Sequence, residues 1–287
     1  MQSDPRAPCL VGLIGKGIQR SKSPAMHEAE AAAQGFRCIY ELIDLDERGL
    51  DINALPALLE EAQARGFAGV NITYPCKQAV IPLLDCLSEE ARAIGAVNTV
   101  QFVNGQRTGY NTDAWGFAES FRRGLGAASL AHVTQIGAGG AGAATGYALL
   151  GLGASDLTIF DVDFDRAVSL ARSLTRHFPD RHVHAMEELV DAISGADGIV
   201  HATPMGMANH RGSAVPASLL RAGMWVADIV YFPLETELLR LARAAGCRTL
   251  DGGGMAVFQA AKAFEIFTGR VADGERMRRH FASLTQT

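Results

Sequence analysis

The sequence predicts a two-domain α/β protein: an N-terminal α/β domain completed by C-terminal helices, with a second α/β domain between these two parts. Strand-like and helix-like patterns alternate along the chain, as is typical of parallel sheets covered by helices. The 287 residues are also enough for two hydrophobic cores. We expect the first domain to comprise residues 1–113 and 252–287, and the second residues 114–251.

The elements of the first half follow from their local patterns. A short apolar run predicts a strand at residues 10–14. Ser23 followed by Pro24 predicts the start of a helix, with Ser23 as its cap. Alternation or helical periodicity predicts the remaining elements, which are strands at 39–45, 69–72 and 98–103 and helices at 55–65 and 113–125.

The second half begins with a strand at residue 132, a glycine-rich turn and a helix of small residues. The elements after them are a strand at 157–160, a helix at 165–177, and strands near Val183, at 198–201 and at 225–228. Helices at 255–267 and 274–284 follow, and we expect them to pack against the first half because the intervening domain is complete without them. Ligands of such sheets bind at the carboxyl ends of the strands.

The glycine-rich turn is the most informative motif. Gly137, Gly139 and Gly142 have the Gly-x-Gly-x-x-Gly spacing, which serves a tight turn, the close approach of a pyrophosphate and close helix packing. The helix N-terminus adds N–H groups and a positive dipole end. The turn therefore predicts a Rossmann dinucleotide-binding domain. Its intervening residues, Ala138, Gly140 and Ala141, belong to the same predicted site.

Asp161 follows the second strand of this domain and indicates which dinucleotide binds. Its carboxylate can accept hydrogen bonds from the ribose hydroxyls of NAD. Asp161, Asp163 and Asp165 would repel the 2′-phosphate of NADP, since one like-charge contact at about 4 Å costs about 4 kcal/mol at an effective dielectric of 20. NAD is therefore preferred over NADP. Arg166 leaves an alternative open, because its guanidinium could turn toward a phosphate if Asp161 points elsewhere.

Composition argues against several classes of partner. A net charge of −5 gives no general attraction to nucleic acid or to an anionic membrane. The N-terminal stretch has the pattern of neither a signal peptide nor a transmembrane helix. The five cysteines lack C-x-x-C spacing, so we expect reduced thiols in a cytoplasmic protein. His182 and His184 lack further ligands of suitable spacing, and no metal is predicted.

Polar motifs at strand ends make nearly the whole chain resemble the shikimate and quinate dehydrogenases. The motifs are Ser-Lys-Ser-Pro at 21–24, Asn-Ile-Thr-Tyr-Pro-Cys-Lys at 71–77, Gly-Ala-Val-Asn-Thr at 95–99, Gly-Tyr-Asn-Thr-Asp at 109–113, Ala-Thr-Pro-Met-Gly-Met at 202–207 and Asp-Gly-Gly-Gly-Met at 251–255. The resemblance implies hydride transfer between a nicotinamide cofactor and a secondary alcohol, with a substrate domain beside a Rossmann domain.

The resemblance also implies roles for single residues. Lys77 and Asp113 match the catalytic pair, in which the lysine either exchanges a proton with the substrate or stays charged and stabilises an alkoxide. Ser21 and Ser23 match the hydroxyls that hold the substrate carboxylate. The further substrate-binding residues implied are Thr73, Asn98, Tyr231 and Gln259. The further cofactor-binding residues implied are Thr203, Pro204, Ile229, Gly252, Gly254 and Met255.

Three departures from the family pattern stand out. Gly-Lys-Gly-Ile-Gln-Arg at 15–20 replaces the usual Gly-x-Pro-Ile-x-His, His201 stands where asparagine is frequent, and Asp161 replaces an Asn-Arg-Thr type of NADP clamp. The third departure favours an NAD-linked enzyme.

We therefore expect NAD-dependent oxidation of shikimate, with quinate as an additional substrate, to the 3-dehydro ketone. Ser23 favours shikimate, since threonine there would be more quinate-like. An aminoshikimate-type dehydrogenase and a non-catalytic cofactor-binding regulatory protein are the alternatives. The expected partner is a small polyhydroxy cyclohexane carboxylate, and homodimer formation is left open.

Overall fold

The structure, a computed structural model, describes residues 8–285. Residues 1–7, on which the prediction about a signal peptide partly rests, and residues 286–287 lie outside the described part. The chain divides into two compact units. The first extends through Thr112 and resumes at Val257, and the second is Asp113–Ala256.

The described part of the first unit contains a six-stranded sheet in the order β2-β1-β3-β5-β6-β4. The strands are β1 (Cys9–Gly15), β2 (Cys38–Asp44), β3 (Gly69–Ile72), β4 (Cys86–Leu87), β5 (Thr99–Val103) and β6 (Gln106–Tyr110). The first helices are α1 (Ser23–Ala33), α2 (Leu55–Ala64), α3 (Cys76–Ala79) and α4 (Glu89–Ile94).

This sheet is mixed. β1 runs parallel to β2 and β3, whereas β5 runs antiparallel to both β3 and β6. The prediction of parallel strands is therefore wrong for β5, which runs opposite to its two neighbours and forms a hairpin with β6, whereas β6 runs parallel to β4. Asn104 and Gly105 connect them with φ angles of 53° and 80°. Both angles are positive, as a tight hairpin turn requires, and Asn-Gly is the sequence signal for such a turn.

The second unit contains a sheet in the order β12-β11-β10-β7-β8-β9, in which every recorded strand pair is parallel. Its elements are α5 (Thr112–Leu125), which opens on the last residue of the first unit, β7 (His132–Ile136), α6 (Gly140–Leu152), β8 (Asp156–Phe160), α7 (Phe164–His177), β9 (His182–Ala185), α8 (Leu189–Ile193), β10 (Gly198–His201), β11 (Trp225–Asp228), α9 (Glu237–Ala244) and β12 (Arg248–Leu250). The chain leaves β7 toward β8 on one side and later reaches β10 on the other. This change of direction places a crevice for ligands at the carboxyl end of β7.

The chain returns to the first unit through α10 (Gly253–Thr268) and α11 (Gly274–Thr285). Alternation along β1 shows how this unit is layered, because successive strand residues point to opposite faces. Leu13 belongs to a core with Phe264 and Phe267 of α10. Ile14 belongs to a second core with Leu59 of α2. The C-terminal helices therefore pack against the first half, as predicted.

A buried ion pair fixes α11 against α1. Arg276 donates to both carboxylate oxygens of Glu30, at 2.7 and 2.8 Å, and the Glu30 side chain is fully buried. Burial alone would raise the pKa of Glu30, but hydrogen bonds from Arg276, the Asp273 N–H and Gln34 outweigh burial and lower it. The carboxylate thus stays charged beneath the C-terminal helix.

Candidate active site

The glycine-rich turn joins β7 to α6 in the second unit. Gly137 has φ of +107°, a conformation that favours glycine, and its N–H donates to the Phe160 carbonyl at 2.8 Å. A Cβ on Gly142 would lie 2.2 Å from the Gly137 carbonyl oxygen. Both glycines are therefore required by the folding of the turn itself.

The middle of the turn is different. A Cβ on Gly139 or Gly140 would meet no described protein atom within 4 Å. Gly139 is the N-cap of α6 and has no side chain with which to cap the first N–H groups of the helix. Open space above exposed N–H groups fits the pyrophosphate of a dinucleotide, which accepts hydrogen bonds and carries negative charge. The residues present thus fit the predicted cofactor.

Gln135 is a buried residue of this turn that the sequence analysis did not identify. Its amide nitrogen donates to the carbonyls of Gly137 and Gly142 at 3.0 and 2.9 Å. Its amide oxygen accepts from the Thr145 hydroxyl at 2.9 Å. The side chain therefore ties the two ends of the turn together. The signal available was a glutamine near the end of β7, the strand that leads into the glycines.

Asp161 follows β8 directly and contacts the same turn. Its Oδ2 accepts from the Ala138 N–H at 2.7 Å, and its Oδ1 accepts from the Asp163 N–H at 2.9 Å. Each carboxylate oxygen has two acceptor positions, so both retain capacity for a further donor. Arg166 pairs with Asp163 at 3.1 Å between Nε and Oδ2. The guanidinium therefore already has an acidic partner on its own helix.

The remaining predicted cofactor residues lie in three other segments of the second unit. Thr203 and Pro204 follow β10, and the Thr203 γ-methyl lies close to Gly137. Ile229 follows β11. The predicted segment around residue 252 packs on this end of the sheet, because a Cβ on Gly252 would lie 2.3 Å from the Ile229 carbonyl.

Three further predicted residues remain: Gly254 and Met255 lie in the first turn of α10, and Tyr231 follows β11. A Cβ on Gly254 would lie 2.2 Å from the Ser120 hydroxyl, and Met255 is buried. Tyr231, predicted to bind substrate, belongs to the second unit, and 46% of its surface is exposed.

The predicted substrate residues of the first unit start at the end of β3. Thr73 lies immediately after this strand and packs its methyl group against Gly15. Lys77 lies in α3, and its carbonyl accepts from the Val97 N–H at 2.9 Å. The lysine therefore lies in the short helix that follows the buried strand β3. Asp113 is buried in the first turn of α5 and is assigned to the second unit.

Asn98 lies in a buried polar network. Its amide nitrogen donates to the Thr112 hydroxyl at 2.9 Å, and its amide oxygen accepts from the Thr112 N–H at 2.8 Å. The Thr112 hydroxyl also lies 3.4 Å from the amide oxygen of Gln259 on α10. The structure therefore brings together two predicted substrate residues, Asn98 and Gln259, through Thr112.

Tyr40 and Asn71 extend this network, and the sequence analysis assigned a role to neither. The Tyr40 hydroxyl donates to the Asn71 amide oxygen at 2.8 Å, and the Asn71 amide nitrogen donates to the Thr99 hydroxyl at 2.9 Å. Tyr40 also hydrogen-bonds to the side chain of Ser23, and burial raises the pKa of its hydroxyl. Ser23 is thus connected through Tyr40 to the strand-end amides.

The loop before Ser21 is anchored by a buried carboxylate. Asp44, at the end of β2, accepts from the N–H groups of Gly17 and Ile18 at 3.0 and 2.9 Å and from the Gln19 amide at 3.1 Å. Burial alone would raise the pKa of Asp44, but these hydrogen bonds lower it. The unusual sequence at 15–20 therefore has its own anchor in this chain.

The prediction that Ser23 caps α1 is wrong. The N-cap is Lys22, which makes no side-chain capping hydrogen bond, and the helix begins with Ser23 itself. The Ser21 hydroxyl oxygen instead accepts from the Ser23 N–H at 3.3 Å. The capping acceptor thus comes from the residue two positions earlier. The Ser23 side chain instead hydrogen-bonds with Tyr40.

Residues 8–285 contain no group of three or more His, Cys, Asp or Glu side chains suited to a metal ion. No helix within the same range is long and apolar enough to cross a membrane. All five cysteines carry free thiols.

Two family models match this chain. The shikimate dehydrogenase substrate-binding domain matches residues 13–100, and the shikimate 5′-dehydrogenase C-terminal domain matches residues 252–280.

Similar proteins are found among both sequences and structures. The chain is 56% identical to shikimate dehydrogenase (NADP(+)) of Streptomyces avermitilis, over 97% of this chain and 96% of the relative. It is 48% identical to quinate/shikimate dehydrogenase (NAD(+)) of Corynebacterium efficiens, over 96% of this chain and 98% of the relative. The structure of quinate dehydrogenase from Corynebacterium glutamicum in complex with NAD has a TM-score of 0.91 at 48% identity, covering 96% of this chain and 99% of that one.

Proposed function

Because the chain belongs to the shikimate dehydrogenase family, and is therefore an oxidoreductase that acts on an alcohol, we propose that it oxidises shikimate, and in addition quinate, to the 3-dehydro ketone with NAD as its preferred cofactor. The observation that carries the cofactor preference is the position of Asp161. Its carboxylate lies at the end of β8 and accepts from an N–H of the glycine turn.

Electrostatics supports NAD over NADP at this position. Asp161 presents negative charge where the ribose of a Rossmann cofactor binds, and Asp163 follows two residues later. Arg166 does not offset this charge for a phosphate, because it pairs with Asp163. A ribose hydroxyl can donate to the remaining acceptor positions of Asp161, whereas a 2′-phosphate would be repelled. Relatives of both cofactor types exist, so this discrimination is the point to test.

Hydrogen bonding supports a polyhydroxylated substrate in the first unit. Asn98, Thr112 and Gln259 place amide and hydroxyl groups together, and such groups can both donate to and accept from ring hydroxyls. Ser21 and Ser23 add hydroxyl groups at the start of α1, and we assign them to the substrate carboxylate. Thr73 directly follows β3 and packs against Gly15, where the loop anchored by Asp44 begins.

We assign to Lys77 the transfer of the proton of the substrate hydroxyl group. Oxidation of a secondary alcohol removes a hydride from the carbinol carbon and a proton from its oxygen. The nicotinamide, when bound, accepts the hydride. The neutral Lys77 amine accepts the proton, and in the reverse direction the ammonium returns it to the forming alkoxide. Asp113 is the second member of the catalytic pair that the family pattern implies, and its side chain is buried in the first turn of α5.

The test measures initial rates of the whole protein with shikimate and with quinate, each with NAD and with NADP. We expect turnover of both substrates, with shikimate the better one, and a kcat/KM at least about tenfold higher with NAD, which corresponds to about 1.4 kcal/mol. Preference for NADP would contradict the role of Asp161. No turnover in any combination would contradict the substrate assignment and favour an amino-substituted ring.

A pair of variants isolates the carboxylate. Asp161→Asn keeps an oxygen that can accept the Ala138 N–H but removes the charge. We expect it to lower the ratio of NAD to NADP efficiency about tenfold. Asp191→Asn, which removes an exposed charge in the first turn of α8, is the control and should leave this ratio within about twofold.

A further inference from the structure

A chain of buried hydrogen bonds connects the ends of β10 and β11. His201 and Asp228 are paired in the register of these two strands, and both are about 1% exposed. The His201 Nδ1 lies 2.9 Å from the Asp228 Oδ1. The opposite ring nitrogen, Nε2, lies 2.5 Å from the Thr203 hydroxyl. His201 therefore connects a buried carboxylate to the loop that follows β10.

The partners of Asp228 determine the direction of these hydrogen bonds. Its carboxylate also accepts from the Val230 N–H at 3.0 Å and from the Thr236 hydroxyl at 2.6 Å. An ionised carboxylate only accepts, so the His201 Nδ1 carries a hydrogen. In the neutral ring Nε2 then accepts, and the Thr203 hydroxyl donates to it. The Thr203 oxygen in turn accepts from the Met205 N–H at 3.2 Å.

Thr203 transmits this arrangement to the glycine turn. Its hydroxyl faces His201, while its γ-methyl would lie 2.9 Å from a Cβ placed on Gly137. The neighbouring Ala202 carbonyl oxygen would lie 2.6 Å from the same Cβ. One side of the turn is thus formed by a loop whose orientation depends on the hydrogen bond between Thr203 and His201.

We propose that His201 and Asp228 are positioning residues that hold residues 202–205 against the glycine turn and thereby set the affinity for the nicotinamide dinucleotide. This inference rests on the proposed function only in that the turn binds a dinucleotide. A loop held in its binding conformation loses less entropy when the ligand binds. His201, which replaces the asparagine frequent in the family pattern, extends far enough to reach both partners.

The test is a binding titration of the whole protein with NAD in the absence of substrate. Thr203→Val removes the hydroxyl and keeps the methyl group. His201→Asn keeps a donor near the Nδ1 position and loses the contact with Thr203. We expect each to raise the Kd about fivefold to tenfold, and the double variant to raise it no further, because both remove the same hydrogen bond. Thr203→Ser should stay within about twofold of wild type.

A purely structural role is distinguished by a matched control. Thr134→Val removes another buried hydroxyl of the second unit, which donates to the Ala192 carbonyl. It should lower thermal stability and leave the Kd for NAD unchanged, and the KM for shikimate should stay constant in all these variants.

An unchanged Kd in Thr203→Val would overturn the proposal even if His201→Asn folds poorly. Additive effects in a folded double variant would overturn it as well. A wild-type protein that binds NAD but oxidises neither shikimate nor quinate would refute the proposed function alone. Binding of no dinucleotide would refute both.

Discussion

The glycine turn of the second unit and the polar network of the first unit are constructed in different ways. The turn depends on the backbone: Gly137 needs a positive φ, and Gly142 has no room for a Cβ. The network depends on side chains from several distant elements, including Tyr40, Asn71 and Asn98. Substitutions in the turn should therefore act through steric overlap, and substitutions in the network through lost hydrogen bonds. The first effect is generally the larger for stability.

The largest effect on turnover should come from Lys77→Met, which changes the proposed proton transfer but neither the glycine turn nor the polar network. Loss of the proton carrier should lower kcat by about a thousandfold, while the Kd for NAD and the melting temperature stay close to wild type. Lys262→Met, which removes a surface lysine paired with Glu265 on α10, is the control. Turnover of Lys77→Met within tenfold of wild type would remove Lys77 from the mechanism.

Two glycines of the turn separate its folding from its binding. Gly142→Ala places a methyl group 2.2 Å from the Gly137 carbonyl oxygen and should lower the free energy of unfolding by about 3 kcal/mol. Gly139→Ala meets no described protein atom and should change it by less than about 0.5 kcal/mol. The latter should instead raise the Kd for NAD about tenfold, because the methyl group occupies the open space. Denaturant unfolding and NAD titration measure the two effects, and equal stability losses would contradict this separation.

A buried histidine makes the first unit sensitive to acid. His27 packs against Tyr40, Phe264 and Phe267, and its Nε2 has no hydrogen-bond partner among the described residues. Burial lowers the pKa of His27 to about 3. The unfolded chain binds this proton near pH 6.5, so the stability that the neutral ring provides is lost as the pH falls below that value.

We expect the free energy of unfolding to fall by about 2 kcal/mol between pH 6.5 and pH 5 because of this one group. His27→Leu should flatten that part of the profile. Asp44 and Glu30 contribute at lower pH, since their pKa values are lowered from the ordinary carboxyl range. Identical slopes for wild type and His27→Leu above pH 5 would contradict the assignment.

The smallest effect is expected from Tyr40→Phe, which removes one hydroxyl from the polar network. Asn71 and Ser23 each lose a hydrogen bond, so the KM for shikimate should rise about fivefold, corresponding to about 1 kcal/mol. Tyr110→Phe makes the same change where the hydroxyl donates to Gln101 and is the control. An equal rise in the KM for NAD would show that the change is not confined to the first unit.

The glycine turn was predictable because its demands are local. Gly137, Gly142 and Asp161 can be read from a strand, a helix and a second strand along one short stretch of chain. The hairpin of β5 and β6 was also readable from Asn104-Gly105, although the alternation of strands and helices led to the wrong prediction of parallel strands. Requirements of the backbone can therefore be recognised in the sequence, because they select glycine or Asn-Gly at fixed positions.

The polar network could not be predicted in the same way. Tyr40 and Asn71 are 31 positions apart in the sequence, and Asp44 is 26 positions from Ile18. A tyrosine or an aspartate in a strand looks like ordinary alternation until the register of neighbouring strands is known. Ser23 shows the same limit, since it does not cap α1 as expected and its side chain instead contacts Tyr40 on β2.

The pairing of Glu30 with Arg276 has a consequence for synthesis on the ribosome. The second unit, Asp113–Ala256, is one continuous segment and can begin to fold once it has left the exit tunnel. The first unit must wait, because α1 needs Phe264, Phe267 and Arg276, which are translated more than 200 residues after Glu30. Until then a carboxylate and an apolar helix face are uncovered. We therefore expect chaperones to bind the nascent chain mainly at its N-terminal part, which is synthesised first but completes its fold last.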